Sequence, residues 1–132
     1  MEGKFIVFEG IDCCGKSTQI KKSSNYLFDR GIDVLTTKEP SNSKYGKMIR
    51  HLMETDKDPK EHKDEYTEIF FKDRALHLNR IIYTPLCNGV YVLCDRYKHS
   101  TFAYQQAQGV KLEELLIMHN GILIPDLTFY LD

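Results

Sequence analysis

The chain has 132 residues, of which 42% are hydrophobic and 28% are charged, a composition typical of one globular domain over residues 1–132. Its 18 basic and 19 acidic residues give a formal net charge of -1, which argues against binding to nucleic acid or to a membrane surface. No apolar run approaches the length of a membrane span, and the apolar start is too short for a signal peptide. We therefore expect a cytoplasmic location, with no nucleic-acid partner and no membrane partner.

The stretch FEGIDCCGKST, residues 8–18, fits the pattern G-x-x-x-x-G-K-[ST]. A predicted strand at residues 3–9 precedes it, and a predicted helix begins at Lys16 and stops at Gly31. Backbone N–H groups of such a loop wrap a phosphate at the start of a helix, where the macrodipole favours negative charge. The alternative is a glycine-rich turn that merely joins a strand to a helix. The strand, the helix and the position near the N-terminus all favour the phosphate-binding loop (P-loop).

This P-loop predicts a site for a nucleoside triphosphate and Mg²⁺. Lys16 is expected to reach the β- and γ-phosphates from a solvent-facing position, and the Ser17 hydroxyl is expected to hold Mg²⁺. The residues assigned to the triphosphate are those of the loop and the first helical turn: Gly10, Ile11, Asp12, Cys13, Cys14, Gly15, Lys16, Ser17 and Thr18. The pattern does not identify what receives the phosphate.

Strands and helices alternate along the rest of the chain. Strands are predicted at residues 3–9, 32–40, 89–95 and 126–132, and helices at 16–31, 44–54, about 61–86, 99–109 and 111–121. In the longest helix, the apolar residues available for burial are Ile69, Leu76, Leu78, Ile81 and Ile82. The charged connector at residues 55–65 is expected to be a solvated turn with no partner. The alternation predicts an α/β fold: a doubly wound parallel sheet with right-handed crossovers and helices on both faces.

Four acidic residues fall at the C-terminal ends of the predicted strands, where parallel α/β sheets bind their ligands. These residues are Glu9, Glu39, Asp95 and Asp132. For any one of them, the alternative is a helix cap or a surface carboxylate.

Five clusters of residues follow one another in an order and spacing that resemble the thymidylate kinase family. They are FEGIDCCGKST, TKEPSNSKYGKMIR, FFKDRALH, CDRYKHSTFAYQ and PDLTFYLD, and together they span essentially the whole chain. The resemblance implies a P-loop NTPase-type fold and Mg²⁺-dependent transfer of the γ-phosphoryl group of ATP to dTMP, giving dTDP. It also implies ATP and dTMP as partners, and a homodimer formed through helices of this region. The apolar long helix permits such a dimer and equally suits burial in the core.

The resemblance implies roles for three residues of the dTMP site that bind the phosphate and the base. Arg96 binds the dTMP phosphate, since a planar guanidinium grips phosphate oxygens at two points; pairing with Asp95 is the alternative. Phe70 stacks on thymine, and Arg74, one helical turn later, reaches the base at O4. Because Phe70 and Phe71 are adjacent, one of the two must be an ordinary core residue.

The resemblance also places residues around the sugar and the metal. Thr101 is implied to contact N3 of the base, and Tyr104 to exclude a 2′-hydroxyl and so favour deoxyribose. Asp12 is implied to position the 3′-hydroxyl or a water on Mg²⁺, which groups it with Lys16 and Arg96 as a catalytic residue. Glu39 and Asp95 are expected to hold the Mg²⁺ waters or the arginines.

Two departures from the family pattern bear on activity. Lys38 stands where the family often has an arginine, so its implied contact with dTMP keeps the charge and loses the two-pronged fork. The chain ends at Asp132, before the lid, the fifth strand and the C-terminal helix of the family, so we expect a sheet incomplete at its C-terminal side and weak or no activity from this chain alone. The alternatives are another nucleoside monophosphate or deoxynucleoside kinase, and a P-loop nucleotide-binding module without turnover.

Overall fold

The fold is built on a sheet whose four strands alternate with helices along the chain. The computed structural model describes residues 2–11 and 14–132. The strands are β1 (Phe5–Gly10), β2 (Val34–Lys38), β3 (Tyr91–Asp95) and β4 (Leu127–Leu131). The helices are α1 (Lys16–Phe28), α2 (Lys44–Thr55), α3 (Lys63–His77), α4 (Tyr83–Cys87), α5 (Lys98–Ala107) and α6 (Leu112–Met118), with a π-helical segment (Leu78–Ile82) between α3 and α4.

The strand order confirms the predicted parallel sheet. Over the described residues the order is β2-β3-β1-β4, and every pairing is parallel. In this register Phe8 lies beside Asp95 of β3 and Phe129 of β4, and Lys38 lies beside Asp95 on the other side. The C-terminal ends of all four strands therefore meet at one edge of the sheet, where a doubly wound fold binds its ligands.

Helices cover both faces of the sheet because successive strand residues point to opposite sides. Phe5 and Val7 face the stretch after α3 and pack in one cluster with Ile82. Phe8 faces the other way and packs with Ile20 of α1. The strands, apolar on both faces, are typical of a parallel sheet enclosed by helices, which confirms the predicted fold class.

The predicted helix over residues 61–86 is present but is not regular throughout. It runs as α3, then the π-helical segment, then α4. Pro85 has no N–H to bond the carbonyl of Ile81, and its ring crowds that carbonyl, which accounts for a change in winding at this point. Ile81 was predicted to be available for burial and is 44% exposed, because the change in winding leaves Leu78 and Ile82 as the buried residues. None of the helices that the structure describes is long and apolar enough to cross a membrane.

The charged connector between α2 and α3 has partners, which the sequence did not predict. The Asp56 carboxylate accepts hydrogen bonds from the Asp58 backbone N–H at 2.9 Å, the Tyr66 hydroxyl at 2.9 Å and the His62 ring at 3.0 Å. The backbone bond first, and then the His62 bond, lowers the pKa of Asp56, while the Asp56 carboxylate raises the pKa of His62. The prediction of a partnerless turn is wrong, since one carboxylate organises the connector.

A second carboxylate, Asp73 of α3, anchors the loop that follows β2. It is 2% exposed. Its oxygens accept hydrogen bonds from the Ser41 N–H at 2.8 Å, the Ser41 hydroxyl at 2.5 Å and the Ser43 hydroxyl at 2.6 Å. The Ser43 hydroxyl in turn accepts from the Gly46 N–H as the N-cap of α2. Asp73 therefore ties the end of β2 and the start of α2 to α3.

We expect Asp73→Ala to lower the free energy of unfolding by about 2–4 kcal/mol, because the Ser41 donors would be left buried without their acceptor. Chemical denaturation followed by circular dichroism measures the change. Asp33→Ala is the matched control, since Asp33 is exposed, and it should change stability by less than about 0.5 kcal/mol. Equal, small effects of the two substitutions would contradict the anchoring role.

Candidate active site

The two glycines of the P-loop pattern, Gly10 and Gly15, adopt backbone conformations that favour glycine. Gly10 and Gly15 have φ of 152° and 95°, in the range that L side chains rarely adopt. A Cβ at Gly10 would lie 2.7 Å from the Leu131 carbonyl oxygen, so the site also lacks room for a side chain. Gly15 is the N-cap of α1, and no atom of the residues that the structure describes lies within 4 Å of where its Cβ would be. Gly15 therefore lies at the N-terminus of a helix, where an anion is favoured.

Lys16 lies over this loop, and not in the solvent-facing position expected from sequence. It is 6% exposed. Its ammonium donates to the carbonyl oxygens of Gly10 and Ile11, both at 2.8 Å. The expectation fails because an ammonium at the start of α1 finds carbonyl acceptors within the loop itself. Its positive charge is nevertheless held at the mouth of the anion site.

The other residues assigned to the triphosphate fall into two groups. Ile11, Ser17 and Thr18 are exposed around the loop and the first turn of α1, and Cys14 is half-buried beside Gly10. Asp12 and Cys13 lie outside the described residues, so their assigned roles stay predictions.

Ser17 and Asp95 fit the chemistry of a magnesium site. Both line one cavity of about 520 Å³ between α1 and β2. The Asp95 Oδ1 atom is buried and has no hydrogen-bond partner among the described residues, an arrangement that costs free energy unless a water or cation binds it. Mg²⁺ takes oxygen ligands and often needs only one or two from protein, the rest being water and phosphate. Over the described ranges no group of three or more His, Cys, Asp or Glu side chains forms a metal cluster.

Buried charges organise the end of β2. The Glu39 carboxylate receives the Arg74 Nε–H on Oε1 and the His77 ring on Oε2, each at 2.8 Å. Glu39, Arg74 and His77 are 7%, 1% and 2% exposed. The other ring nitrogen of His77 bonds the Thr37 hydroxyl at 2.6 Å. Glu39 therefore binds Arg74, which is one of the two roles expected for it from sequence.

Glu9, at the end of β1, caps a helix, which is the alternative considered for it. It is 2% exposed. Its carboxylate accepts the backbone N–H groups of Tyr97 and Ser100 at 3.3 Å and the Ser100 hydroxyl at 2.5 Å. A carboxylate at a helix N-terminus satisfies free N–H groups and the macrodipole. The strand that leads into the P-loop thereby sets the position of α5.

Five predicted acceptor residues meet in one pocket at this edge of the sheet. The residues that line it are Glu39, Pro40, Met53, Phe70, Arg74, Arg96, Tyr97, Ser100, Thr101 and Tyr104. Among them are all the residues implied for the dTMP base, sugar and phosphate except Lys38. The free volume is about 80 Å³, below the roughly 300 Å³ at the lower end of small-molecule pockets, so only part of a nucleotide fits inside it without side-chain movement.

Lys38 does not join this pocket. It is exposed and lines the larger cavity with Ser17 and Asp95. Glu39, the next residue, lines the pocket instead. Neighbouring residues of an extended chain point to opposite sides, which explains why only one of the pair faces the pocket. A contact between Lys38 and dTMP stays a prediction.

Arg96 connects the pocket to the P-loop. Its φ of 71° lies in the left-handed region, which is uncommon for a residue other than glycine. The backbone N–H donates to the Phe8 carbonyl at 2.9 Å, and Nη2 donates to the Gly10 carbonyl at 3.4 Å. Backbone conformations of this kind occur often at functional sites, where the surrounding structure maintains them.

The rings of Phe70 and Tyr104 form the apolar wall of the pocket, with centroids 5.9 Å apart. Tyr104 also meets Tyr66 edge-on at 6.4 Å, and the Tyr66 hydroxyl is held by Asp56 of the connector. Burial raises the pKa of Tyr104. Burial is also the main reason that the pKa of Tyr66 rises to about 12, so both hydroxyls are neutral near pH 7. Phe71 packs edge-on against His119 at 5.2 Å, away from this wall. Of the two adjacent phenylalanines, Phe70 is the one in the pocket.

Comparison with known proteins decides the family. The family profile described as thymidylate kinase matches residues 8–132. The chain is 46% identical to a thymidylate kinase of Desulfotalea psychrophila over 98% of the chain and 63% of that protein. It is 42% identical to a probable thymidylate kinase of Pyrococcus horikoshii over 100% of the chain and 66% of that protein. A crystal structure of thymidylate kinase from Ehrlichia chaffeensis matches with a TM-score of 0.86 and 31% identity, covering 100% of this chain and 72% of that one.

The chain belongs to the thymidylate kinase family. This confirms the resemblance drawn from the five sequence clusters, and with it the P-loop fold class. The chain spans about two thirds of the length of the curated relatives that it matches. As a thymidylate kinase family member, it carries both the P-loop and the pocket described above within that length.

Two buried polar residues near the pocket, Gln105 and His119, were not predicted from the sequence of this thymidylate kinase family member. Gln105 is 0% exposed; its Oε1 accepts from the Thr67 hydroxyl at 2.7 Å, and its Nε2 has no partner among the described residues. Its position one turn after Thr101 on α5 could have suggested it. His119, 6% exposed, bonds Arg74 through Nε2 at 2.9 Å. Nothing in the local sequence links it to a residue 45 positions earlier.

The pKa of His119 gives a prediction about stability. Burial is the first cause that lowers it, from 6.5 to about 4. Between these values the unfolded chain binds a proton at His119 that the folded protein does not. The free energy of unfolding therefore falls as the pH drops from 6.5 towards 4, and the His119 contribution is present in full above pH 6.5. We expect His119→Phe to reduce the acid-induced fall in the free energy of unfolding by up to about 3 kcal/mol. Urea denaturation at pH 7 and pH 4.5 measures it; an unchanged difference between the two pH values would refute the prediction.

Proposed function

We propose that this chain holds the ATP and dTMP sites of a thymidylate kinase, an enzyme that transfers the γ-phosphoryl group of ATP to dTMP, giving dTDP, and that the chain alone has weak activity or none. The observation that carries the proposal is the pocket in which Phe70, Arg74, Arg96, Thr101 and Tyr104 meet. These residues come from two helices and the end of a strand, and the family resemblance assigns each of them to dTMP. The pocket adjoins the P-loop through Arg96, whose side chain reaches Gly10.

The proposed step needs positioning and positive charge more than covalent chemistry. An oxygen of the dTMP phosphate attacks the γ-phosphorus of ATP, and the bond from that phosphorus to the β–γ bridging oxygen breaks, releasing ADP. Lys16 stabilises charge on the donor side, and Arg96 holds the acceptor phosphate between the pocket and the loop. Ser17, and Asp95 through water, would hold Mg²⁺, which would supply further positive charge beside the donor phosphates.

The base pocket supports a pyrimidine acceptor. Phe70 and Tyr104 provide flat apolar faces, and Arg74 and Thr101 lie beside them as polar groups. Arg74 is immobilised by Glu39, so its donors have fixed directions. A buried, fixed donor rejects a base that offers no acceptor at that point, because the donor would lose its partner. The arrangement favours a base with a carbonyl facing Arg74, as thymine has at O4.

The first test of the proposal concerns the donor site. We expect Lys16→Ala to lower kcat for dTDP formation by about 10²–10³, by analogy with loss of one transition-state donor. A coupled ADP-release assay with dTMP, dUMP, dCMP, UMP and thymidine as acceptors measures it and tests the acceptor choice. Lys22→Ala, on the exposed side of the same helix, is the matched control and should leave kcat unchanged. Near-normal turnover by Lys16→Ala would end the P-loop assignment. If this chain alone binds both nucleotides and forms no dTDP, it is by itself a nucleotide-binding module without turnover.

The second test concerns the base. We expect Phe70→Ala to raise the Kd for dTMP about 10- to 100-fold, the roughly 1–3 kcal/mol of one base–aromatic stack. Phe70→Leu keeps apolar volume and loses the flat ring, so it should recover little of the affinity. Calorimetric titration with dTMP and, separately, with ATP measures both, and ATP binding should not change. Equal damage to the two ligands would show that Phe70 acts through the core.

A further inference from the structure

The guanidinium of Arg74 has nearly all of its N–H groups engaged by protein atoms. Nε donates to Glu39 Oε1 at 2.8 Å, and Nη2 lies 2.8 Å from the same oxygen. Nη2 also donates to the Thr101 hydroxyl at 2.7 Å, and Nη1 donates to His119 at 2.9 Å. A guanidinium has five N–H groups in one plane. Among the contacts of the described residues, the one N–H without a bond is therefore the second hydrogen on Nη1.

The tautomer of His119 follows from its two partners. Nδ1 lies 2.8 Å from the Leu115 carbonyl oxygen, which can only accept, so Nδ1 carries the proton. Arg74 can only donate, so Nε2 accepts. The ring is wedged edge-on between Phe71 at 5.2 Å and Phe102 at 4.9 Å, which fixes its plane. His119 thus presents one lone pair to Arg74 in a fixed direction.

We propose that His119 is a positioning residue for base recognition: it takes one N–H of Arg74 Nη1 and leaves the other for a carbonyl oxygen of the bound pyrimidine. This inference rests on the proposed function. Without His119, none of the described residues offers an acceptor at the Nη1 end of the guanidinium, and their remaining hydrogen bonds to Arg74 are at Nε and Nη2. Since Arg74 lines the pocket, a loss of alignment at Nη1 acts directly on the base.

The surroundings of His119 keep it neutral, as this role requires. Burial lowers its pKa to about 4; the Leu115 carbonyl opposes this, Arg74 and Lys98 add to it, and Glu39 opposes it weakly. A neutral ring accepts a hydrogen bond from Arg74 without neutralising its charge, whereas a carboxylate there would bind the guanidinium more strongly and compete with the base.

The proposed role of His119 also favours thymine over cytosine. Cytosine offers an amino group where thymine has its O4 carbonyl, and an amino group facing the remaining N–H leaves both donors unpaired.

The experiment uses two variants and one control. His119→Phe keeps an aromatic ring between Phe71 and Phe102 and removes the acceptor; His119→Gln offers a side-chain carbonyl in its place. We expect His119→Phe to raise the Kd for dTMP about 10-fold, because a misaligned Arg74 would lose about one charge-assisted hydrogen bond to the base. The ratio of the Kd for dCMP to the Kd for dTMP should fall, and ATP binding should not change. His119→Gln should recover most of both. His51→Phe, at an exposed position on α2, should match wild type.

A spectroscopic measurement decides the bond itself without any variant or ligand. Nitrogen NMR of labelled wild-type protein at pH 7 should show His119 protonated at Nδ1, with a hydrogen-bonded Nε2. A protonated Nε2 would overturn the inference, whether or not the variants fold. So would a His119→Phe protein that binds dTMP as tightly, and prefers it over dCMP as strongly, as wild type. If wild-type protein fails to bind dTMP while the NMR signature is present, the proposed function fails and the Arg74–His119 bond stands.

Discussion

The burial of one cation, Arg74, is the constraint around which the site is arranged. A guanidinium that is 1% exposed must find a hydrogen-bond acceptor for nearly every N–H. Glu39 supplies the countercharge from the end of β2, Thr101 an acceptor from α5, and His119 an acceptor at the end of α6. These acceptors tie α3 to three other parts of the chain. Loss of any one would leave part of a buried charge unpaired, so the arrangement is mutually dependent.

The carboxylates at the strand ends have similar sequence positions and different physical roles. Glu9 satisfies the N-terminus of α5 and Glu39 satisfies Arg74 and His77. The Asp95 Oδ1 atom is satisfied by no described residue. The first two are therefore part of the structure that positions the pocket, while the third retains binding capacity for a ligand. The edge of a parallel sheet brings all three together, and what each does depends on which helix end or cation reaches it.

Buried charge is an expensive way to hold a fold together, because apolar side chains of similar volume often stabilise a protein at least as well. Here the buried charges fix the orientation of Arg74. Its guanidinium, bound by Glu39, Thr101 and His119, presents a hydrogen-bond donor to a base in one direction. The apolar wall of Phe70 and Tyr104 is supported in the same manner, through Tyr66 and Asp56. Precise placement of a few polar groups within an apolar pocket is what discriminates between similar ligands.

The order of elements, the parallel sheet, the P-loop and the family follow from the amino-acid sequence, because each depends on periodicity or spacing within a short stretch. The same holds for the pocket residues Phe70, Arg74, Arg96, Thr101 and Tyr104, which lie in recognisable clusters. The tertiary structure alone decided that Lys16 folds back on its loop, that Lys38 faces a different cavity, and that Asp56 orders a connector that looks solvated in sequence. It also decided that His119 meets Arg74. These outcomes depend on which partner a polar group meets once distant segments pack together, and a hydrogen bond between residues 45 positions apart leaves no local pattern by which sequence could reveal it.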